Sequence, residues 1–135
     1  MRKIPLATGR AIRMRQPFLH SFKCAFEGIG HAFVEGRNFK VQFAVGVVAV
    51  VLGIVLGIDA TQWAVIVTCI GVVLGGECVN TAIEAVVDLA SPDYHKLAKV
   101  AKDCAAGAVL VASIASVFVA AFVYLPRIGA LLGLC

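Results

Sequence analysis

The stretch GGECVNTAIEAVVD, from Gly75 to Asp88, brings acidic side chains into a strongly apolar segment. The residues that lead into it, from 62 to 74, carry no charge. An α-helix turns about 100° per residue, so the polar residues of the stretch share an arc of roughly 80° and rise by about 16 Å along the axis. These residues are Glu77, Asn80, Glu84 and Asp88.

The composition places this stretch in a membrane protein. The chain has 135 residues, of which 61% are hydrophobic and 15% charged, whereas a soluble domain has about 45–50% apolar and about 25% charged residues. Spanning helices need roughly 20 apolar residues. We therefore predict an all-α membrane protein, one domain over residues 1–135, with transmembrane helices at 40–58, 63–89 and 101–125.

The basic residues predict the orientation of these helices. Eleven of the twelve Lys and Arg residues precede the first span or lie between the second and third, and the positive-inside rule makes that side cytoplasmic. We expect a multi-pass membrane protein with a cytoplasmic N-terminus. The positive charge is explained by this topology, so no nucleic-acid partner is expected.

An amphipathic pattern precedes the first span. Apolar residues recur at spacings of three and four, which is typical of a helix with one apolar face. We predict an interfacial helix at 18–36 on the cytoplasmic leaflet, preceded by a basic arm, 1–17, that can rest on anionic headgroups. The stripe consists of Leu19, Phe22, Phe26, Ile29 and Phe33.

A second polar cluster follows the second span. Its lysines either set the topology of the membrane helices or neutralise the charge of a bound phosphate. The acids of the preceding helix are the ligand type that Mg²⁺ prefers. Phosphoryl transfer needs positioning, charge stabilisation and a base for the attacking hydroxyl. The cluster contains Asp93, Tyr94, His95, Lys96, Lys99, Lys102 and Asp103.

Acids inside a membrane helix indicate a functional site, because a lipid-facing charge is costly. Glu77 is the deepest acid of the row. The alternative is a small proton- or cation-coupled transporter subunit that uses Glu77 as its carboxylate. A non-catalytic membrane assembly protein would leave the acidic face unexplained. GxxxG pairs allow membrane helices to approach closely. The sequence contains two, Gly53 with Gly57 and Gly71 with Gly75, and whether either marks a helix interface stays open.

Several motifs resemble the small integral-membrane lipid kinases, the bacterial diacylglycerol kinases and undecaprenol kinases. The resemblance implies a homotrimer with active sites shared between neighbouring protomers at the cytoplasmic interface. It also implies transfer of the ATP γ-phosphate to a lipid hydroxyl with Mg²⁺. The motifs are ECVNTAIEAVVD (77–88), PDYHKLAKVAKD (92–103), SFKCAFEGIGHAF (21–33), RNFK (37–40), AAGAVL (105–110) and YLPRI (124–128).

The resemblance also implies roles for individual residues. Glu77 corresponds to the catalytic base and Glu84 to a metal ligand that approaches the nucleotide phosphates. Asn80 and Lys99 are expected to support the site. The remaining nucleotide-binding positions are Asp88, Asp93, Tyr94, His95, Lys102 and Asp103.

Two positions depart from the family pattern. The second metal ligand usually stands directly before RNF, where this chain has Gly36, and the acid is one residue earlier, at Glu35. Either a local bulge or loop at Gly36 restores the aim of Glu35, or the metal is held differently, with Glu27 or water. Cys24 replaces a common aromatic. The lipid, undecaprenol or diacylglycerol, stays open, although the carboxy-terminal half is more similar to the undecaprenol kinase branch.

Overall fold

The computed structural model describes residues 18–133, and within that range the chain is entirely helical apart from its connections. The predicted basic arm, residues 1–17, lies outside the described residues. The four helices are α1 (Phe18–Glu35), α2 (Arg37–Leu56), α3 (Ala60–Ala90) and α4 (Lys96–Leu131).

Helices α2, α3 and α4 are long and apolar enough to cross a bilayer, with mean hydropathies of 2.4, 1.7 and 2.5 in their most apolar windows. The prediction of an all-α chain with three such helices is confirmed. Helix α3 packs along α4 over the greatest length, and α2 packs against both. Helix α4 continues through Pro126 to Leu131, beyond the predicted span of 101–125.

The connection between α2 and α3 is held by local hydrogen bonds and by α4. Gly57 ends α2 with φ 60°, a left-handed conformation that glycine adopts without a steric penalty. Asp59 and Gln62 then form a capping box at the start of α3. Arg127 of α4 donates to the Gly57 carbonyl at 2.9 Å and to the Gln62 side chain at 3.0 Å. These bonds tie one end of the three-helix unit together.

The connection between α3 and α4 lies at the other end. The sequence favours a new helix near Asp93, whereas α4 begins at Lys96. The reason is a cap: the His95 side chain accepts from the Leu97 N–H at 3.2 Å and satisfies one of the free donors of the first turn. Residues 91–95 therefore form a short non-helical loop.

Helix α1 is separated from α2 by a single residue. Gly36 has φ −79° and ψ 105°, so its backbone is extended and the helix is interrupted there. The Phe33 ring of α1 packs edge-on against Phe39 and Phe43 of α2, at centroid distances of 6.0 Å and 5.5 Å. Ala32 is buried where α1 crosses α3, so α1 is packed onto the membrane-helix unit at this end.

The buried face of α3 changes from apolar to polar along its length. Ile66 and Val73 are buried in its first half, and Glu77 and Asn80 are buried in its second half on the same side. The spacing of seven, four and three residues keeps all four on one helix face. The acidic row therefore begins inside the protein and not on a lipid-exposed surface.

The two GxxxG pairs differ in their surroundings. A Cβ atom at Gly53 would lie 2.9 Å from the Trp63 ring, so α2 and α3 approach closely there. Its partner Gly57 lies outside the helix, in the turn. Within residues 18–133, a Cβ at Gly71 or Gly75 would meet nothing within 4 Å. Of these four glycines, Gly53 is the one that packing within the described residues requires.

This contrast gives a stability prediction. We expect Gly53→Ala to lower the free energy of unfolding by about 1–3 kcal/mol, because the methyl group overpacks a rigid ring. Gly71→Ala is the matched control and should be neutral or stabilising by up to about 1 kcal/mol. Thermal unfolding in detergent micelles, followed by circular dichroism, measures both. Equal stability of the two variants would contradict the packing described for Gly53.

Candidate active site

The site begins with two buried polar residues of α3. Glu77 and Asn80 are each only 5% exposed. The Glu77 backbone carbonyl accepts from Thr81 Oγ1 at 3.0 Å, whereas among residues 18–133 its carboxylate takes part in no hydrogen bond or ion pair. A buried carboxylate without a protein partner is unfavourable, so this group is poised to bind a ligand.

Asn80 connects Glu77 to the next acid. Its Nδ2 atom donates to Glu84 Oε1 at 3.1 Å, which fixes both side chains on the same face of α3. Its Oδ1 atom is buried and has no hydrogen-bond partner within the described residues. This acceptor therefore needs a donor that a bound substrate or a water molecule supplies.

Glu77 and Asn80 line a cavity of about 430 Å³ between α2, α3 and α4, which we call the polar chamber. Helix α2 contributes the start of its sequence to this cavity, and α4 contributes the turns after the lysine cluster. An arginine and a buried glutamate thus line the polar chamber together, without forming an ion pair among the described residues. Its polar lining residues are Arg37, Asn38, Gln42, Glu77, Asn80 and Ser113.

A second cavity, of about 420 Å³, lies around the α3–α4 connection, and we call it the loop cavity. Asp88, at the end of the acidic row, lines it from α3. The other lining residues come from the connection and from the first two turns of α4. The structure thus brings together seven residues that the sequence assigned to the site: Asp88, Asp93, Tyr94, His95, Lys99, Lys102 and Asp103.

The charged residues of the loop cavity form two ion pairs. Lys102 pairs with Asp88 of α3, and Lys99 pairs with Asp103 on α4. All four side chains are at least 36% exposed, and exposed pairs of this kind contribute only about 0.2–1 kcal/mol each. An incoming phosphate can therefore displace the carboxylates from the lysines at low cost.

The predicted metal ligands do not form one cluster. Within residues 18–133, no group of three or more His, Cys, Asp and Glu side chains is arranged to hold a metal ion. Glu84 is half-buried and bonded to Asn80, whereas Glu35 is exposed at the last residue of α1. Gly36 does break the helix. Such a break was one of the two alternatives considered for the placement of Glu35. A role for Glu35 as second ligand stays a prediction.

Sequence reasoning missed four residues of the polar chamber: Arg37, Asn38, Gln42 and Ser113. Arg37 and Asn38 were visible only as part of the RNFK motif, without a role. Gln42 was the one strongly polar residue in its apolar span, which is a signal that could have been used. Ser113 gave no signal, because its importance depends on a contact with a residue 71 positions away.

Comparison with known proteins decides the family. The sequence profile of prokaryotic diacylglycerol kinase matches residues 23–124. The chain belongs to the prokaryotic diacylglycerol kinase family. Its relatives in this family include enzymes named for two different lipid alcohols, so the family is one of lipid kinases, and a kinase family implies ATP as the co-substrate.

Three relatives of this family show how far the similarity extends. A diacylglycerol kinase of Synechocystis sp. is 43% identical over 115 residues, which cover 84% of this chain and 66% of that protein. An undecaprenol kinase of Bacillus subtilis is 36% identical over 111 residues, covering 82% and 90%. A diacylglycerol kinase of Escherichia coli is 33% identical over 93 residues, covering 69% and 76%. The residues that the family profile matches, 23–124, include those of the polar chamber and the loop cavity.

Proposed function

We propose that this lipid kinase transfers the γ-phosphate of Mg²⁺-bound ATP to the hydroxyl of a membrane lipid alcohol, diacylglycerol or undecaprenol, at the cytoplasmic membrane interface. The observation that carries the proposal is the position of Glu77. Its buried carboxylate has no partner among residues 18–133 and lies in a polar chamber within the membrane-spanning unit. The same helix face leads to the loop cavity and its lysines.

In the proposed reaction the lipid hydroxyl enters the polar chamber, where its O–H group can bond to Glu77 or to the free Oδ1 atom of Asn80. The hydroxyl oxygen attacks the γ-phosphorus while Glu77 takes the proton. A new O–P bond forms, the bond between the γ-phosphorus and the bridging oxygen breaks, and ADP leaves. Arg37 at the same chamber offsets negative charge on the transferred group, as phosphoryl transfer requires.

The triphosphate is proposed to bind in the loop cavity. Lys99 and Lys102 exchange their exposed carboxylate partners for phosphate oxygens, and Asp93, Tyr94 and His95 contact the nucleotide. The cap uses Nδ1 of His95, and the second ring nitrogen has no partner among residues 18–133, so it can make such a contact. Asp88 and Asp103, once released from the lysines, serve as acceptors for nucleotide donors.

The donor set fits Mg²⁺. Magnesium is usually held by one or two carboxylates together with substrate phosphates, and Glu84 uses only Oε1 in its bond with Asn80. Its second oxygen remains for a metal, with Glu35 as the proposed second ligand. When bound, Mg²⁺ would neutralise phosphate charge. Asn80 orients the Glu84 carboxylate for this purpose.

Further parts of the proposal concern the assembly in the membrane. We propose that the N-terminus is cytoplasmic, that α1 rests on the cytoplasmic leaflet, and that three chains form a homotrimer with shared sites. In support, the apolar stripe of α1 stays exposed, with Phe26 at 71% and Leu19 at 80%. Chemical cross-linking in native membranes measures the copy number. Trimers are expected, and monomers alone would contradict this part of the proposal.

The activity itself is tested with purified protein in lipid nanodiscs, supplied with ATP, Mg²⁺ and a panel of lipid alcohols. We expect a phosphorylated lipid that requires both ATP and Mg²⁺ and disappears when EDTA removes the metal. Lys96→Ala, at an exposed residue outside the loop cavity, should retain activity within about twofold, as expected for surface substitutions. ATP-independent, pH-driven flux in vesicles, with no lipid phosphate, would instead support a transporter.

A further inference from the structure

Two polar side chains from different helices meet inside the membrane-spanning unit. Gln42 Nε2 of α2 donates to Ser113 Oγ of α4 at 3.0 Å. Both side chains line the polar chamber. Both also line a second cavity of about 230 Å³, the apolar chamber, whose other walls are mostly aliphatic side chains. The Gln42–Ser113 pair therefore stands at the boundary between a polar and an apolar cavity.

The hydroxyl group of Ser113 is used differently from three other hydroxyl groups on α3 and α4. Thr68, Thr81 and Ser116 each donate to the carbonyl four residues earlier, at 2.8–3.0 Å. Ser113 instead accepts from Gln42, and within residues 18–133 its own O–H donates to no acceptor. An unused donor on a half-buried side chain is unfavourable, so the site is suited to a ligand that brings an acceptor.

The depth of this donor relative to Glu77 follows from helix packing. Val109 of α4 lies against Gly76 of α3, where an added Cβ would be 3.5 Å from the Val109 side chain. Val109 is thus level with the neighbour of Glu77. Ser113 is one turn further along α4, which is about 6 Å deeper in the membrane. When the hydroxyl of a lipid reaches Glu77, the part of the lipid about 6 Å from that hydroxyl therefore lies next to Ser113.

The two candidate alcohols differ at that distance. In a 1,2-diacylglycerol, five bonds separate the hydroxyl oxygen from the nearer ester carbonyl oxygen, and bonds of about 1.2–1.5 Å give a reach of about 5–6 Å. A polyprenol has only hydrocarbon there and cannot satisfy the donor. We propose that the Gln42–Ser113 pair binds this ester carbonyl, so that the preferred substrate is an ester-bearing glycerolipid whose acyl chain continues into the apolar chamber.

This inference rests on the proposed function and goes one step further, because it assigns a specificity-determining pair. A purely structural role is the alternative, since polar side chains also join helices within membranes. That role predicts lower stability of variants without any change in substrate preference. The decisive quantity is therefore a ratio of catalytic efficiencies for two substrates measured on the same protein.

The experiment compares 1,2-diacylglycerol with a 1,2-dialkylglycerol of equal chain length, which keeps the hydroxyl and the shape but lacks both carbonyls. For the wild type we expect kcat/KM to favour the ester about tenfold, as one hydrogen bond to a half-buried donor implies. Ser113→Ala should reduce the ratio of kcat/KM for ester over ether to between about one and two. Ser113→Thr retains a hydroxyl and should keep most of the preference for the ester. Ser116→Ala removes a hydroxyl that already bonds to its own helix, and should leave the ratio unchanged.

Equal efficiencies for ester and ether in the wild type would overturn the inference and leave the lipid kinase function intact, and this comparison needs no variant to fold. The inference would also be overturned if Ser113→Ala kept the preference for the ester over the ether. A higher kcat/KM for a polyprenol than for the diester would overturn it as well. Transfer of phosphate to none of these alcohols would overturn the proposed function itself, and the inference with it.

Discussion

Replacing Glu77 by Gln is expected to lower kcat for phosphoryl transfer by about 10²–10⁴-fold, the range of a lost general base. The amide has nearly the same shape, so the polar chamber keeps its packing, but the amide cannot take the hydroxyl proton. Binding of ATP should change little, because the lysines of the loop cavity are separate from Glu77. The rate of lipid phosphate formation and the affinity for ATP, both measured in nanodiscs, test this.

The matched control is Asp59→Asn, the same acid-to-amide change 18 residues earlier, about 27 Å along α3. Asn is also a good N-cap residue, so the start of α3 is retained, and the lost ion pair with Arg127 is partly exposed. Activity of this variant should stay near that of the wild type. If Glu77→Gln were as active as Asp59→Asn, Glu77 would not be the base.

Glu84→Gln carries the second large expected effect. The amide oxygen can still accept from Asn80, so the local structure is retained, but the negative charge that holds Mg²⁺ is lost. We expect kcat to fall by about 10²–10³-fold, as is typical when one preorganised electrostatic group is removed. The Mg²⁺ concentration needed for half-maximal rate should rise, which loss of a base alone would not cause.

The readout for this variant is a titration of activity with Mg²⁺ at fixed ATP, carried out alongside Glu77→Gln. The residual activity of Glu77→Gln should keep the Mg²⁺ dependence of the wild type. An unchanged rate and an unchanged Mg²⁺ requirement in Glu84→Gln would show that the metal is held elsewhere on the chain.

Much of the fold was predictable because it depends on local patterns. Runs of apolar residues define the spans, and helical periodicity aligns the acids from Glu77 to Asp88 on one face of α3. Both are properties of neighbouring residues. The break at Gly36 was anticipated as one of two alternatives for the same reason, since it concerns the local backbone.

What could not be predicted depends on packing between distant segments. The contacts of Gln42 with Ser113 and of Arg127 with the α2–α3 turn join residues about 70 positions apart. No periodicity within one helix determines which face of another helix it meets. The polar chamber could therefore be predicted as an acidic face, but not as a cavity with Arg37 and Asn38 on its opposite wall.

The central claim is that the lipid alcohol reaches Glu77 inside the polar chamber. The most direct measurement is photo-cross-linking with a diacylglycerol that carries a diazirine on its glycerol backbone, followed by mapping of labelled peptides. Labels that unlabelled diacylglycerol displaces should fall on residues 37–42, 77–80 and 106–113. Displaceable labels confined to the exposed face of α2, around Val47, Val51 and Ile54, with none in the chamber, would contradict the account.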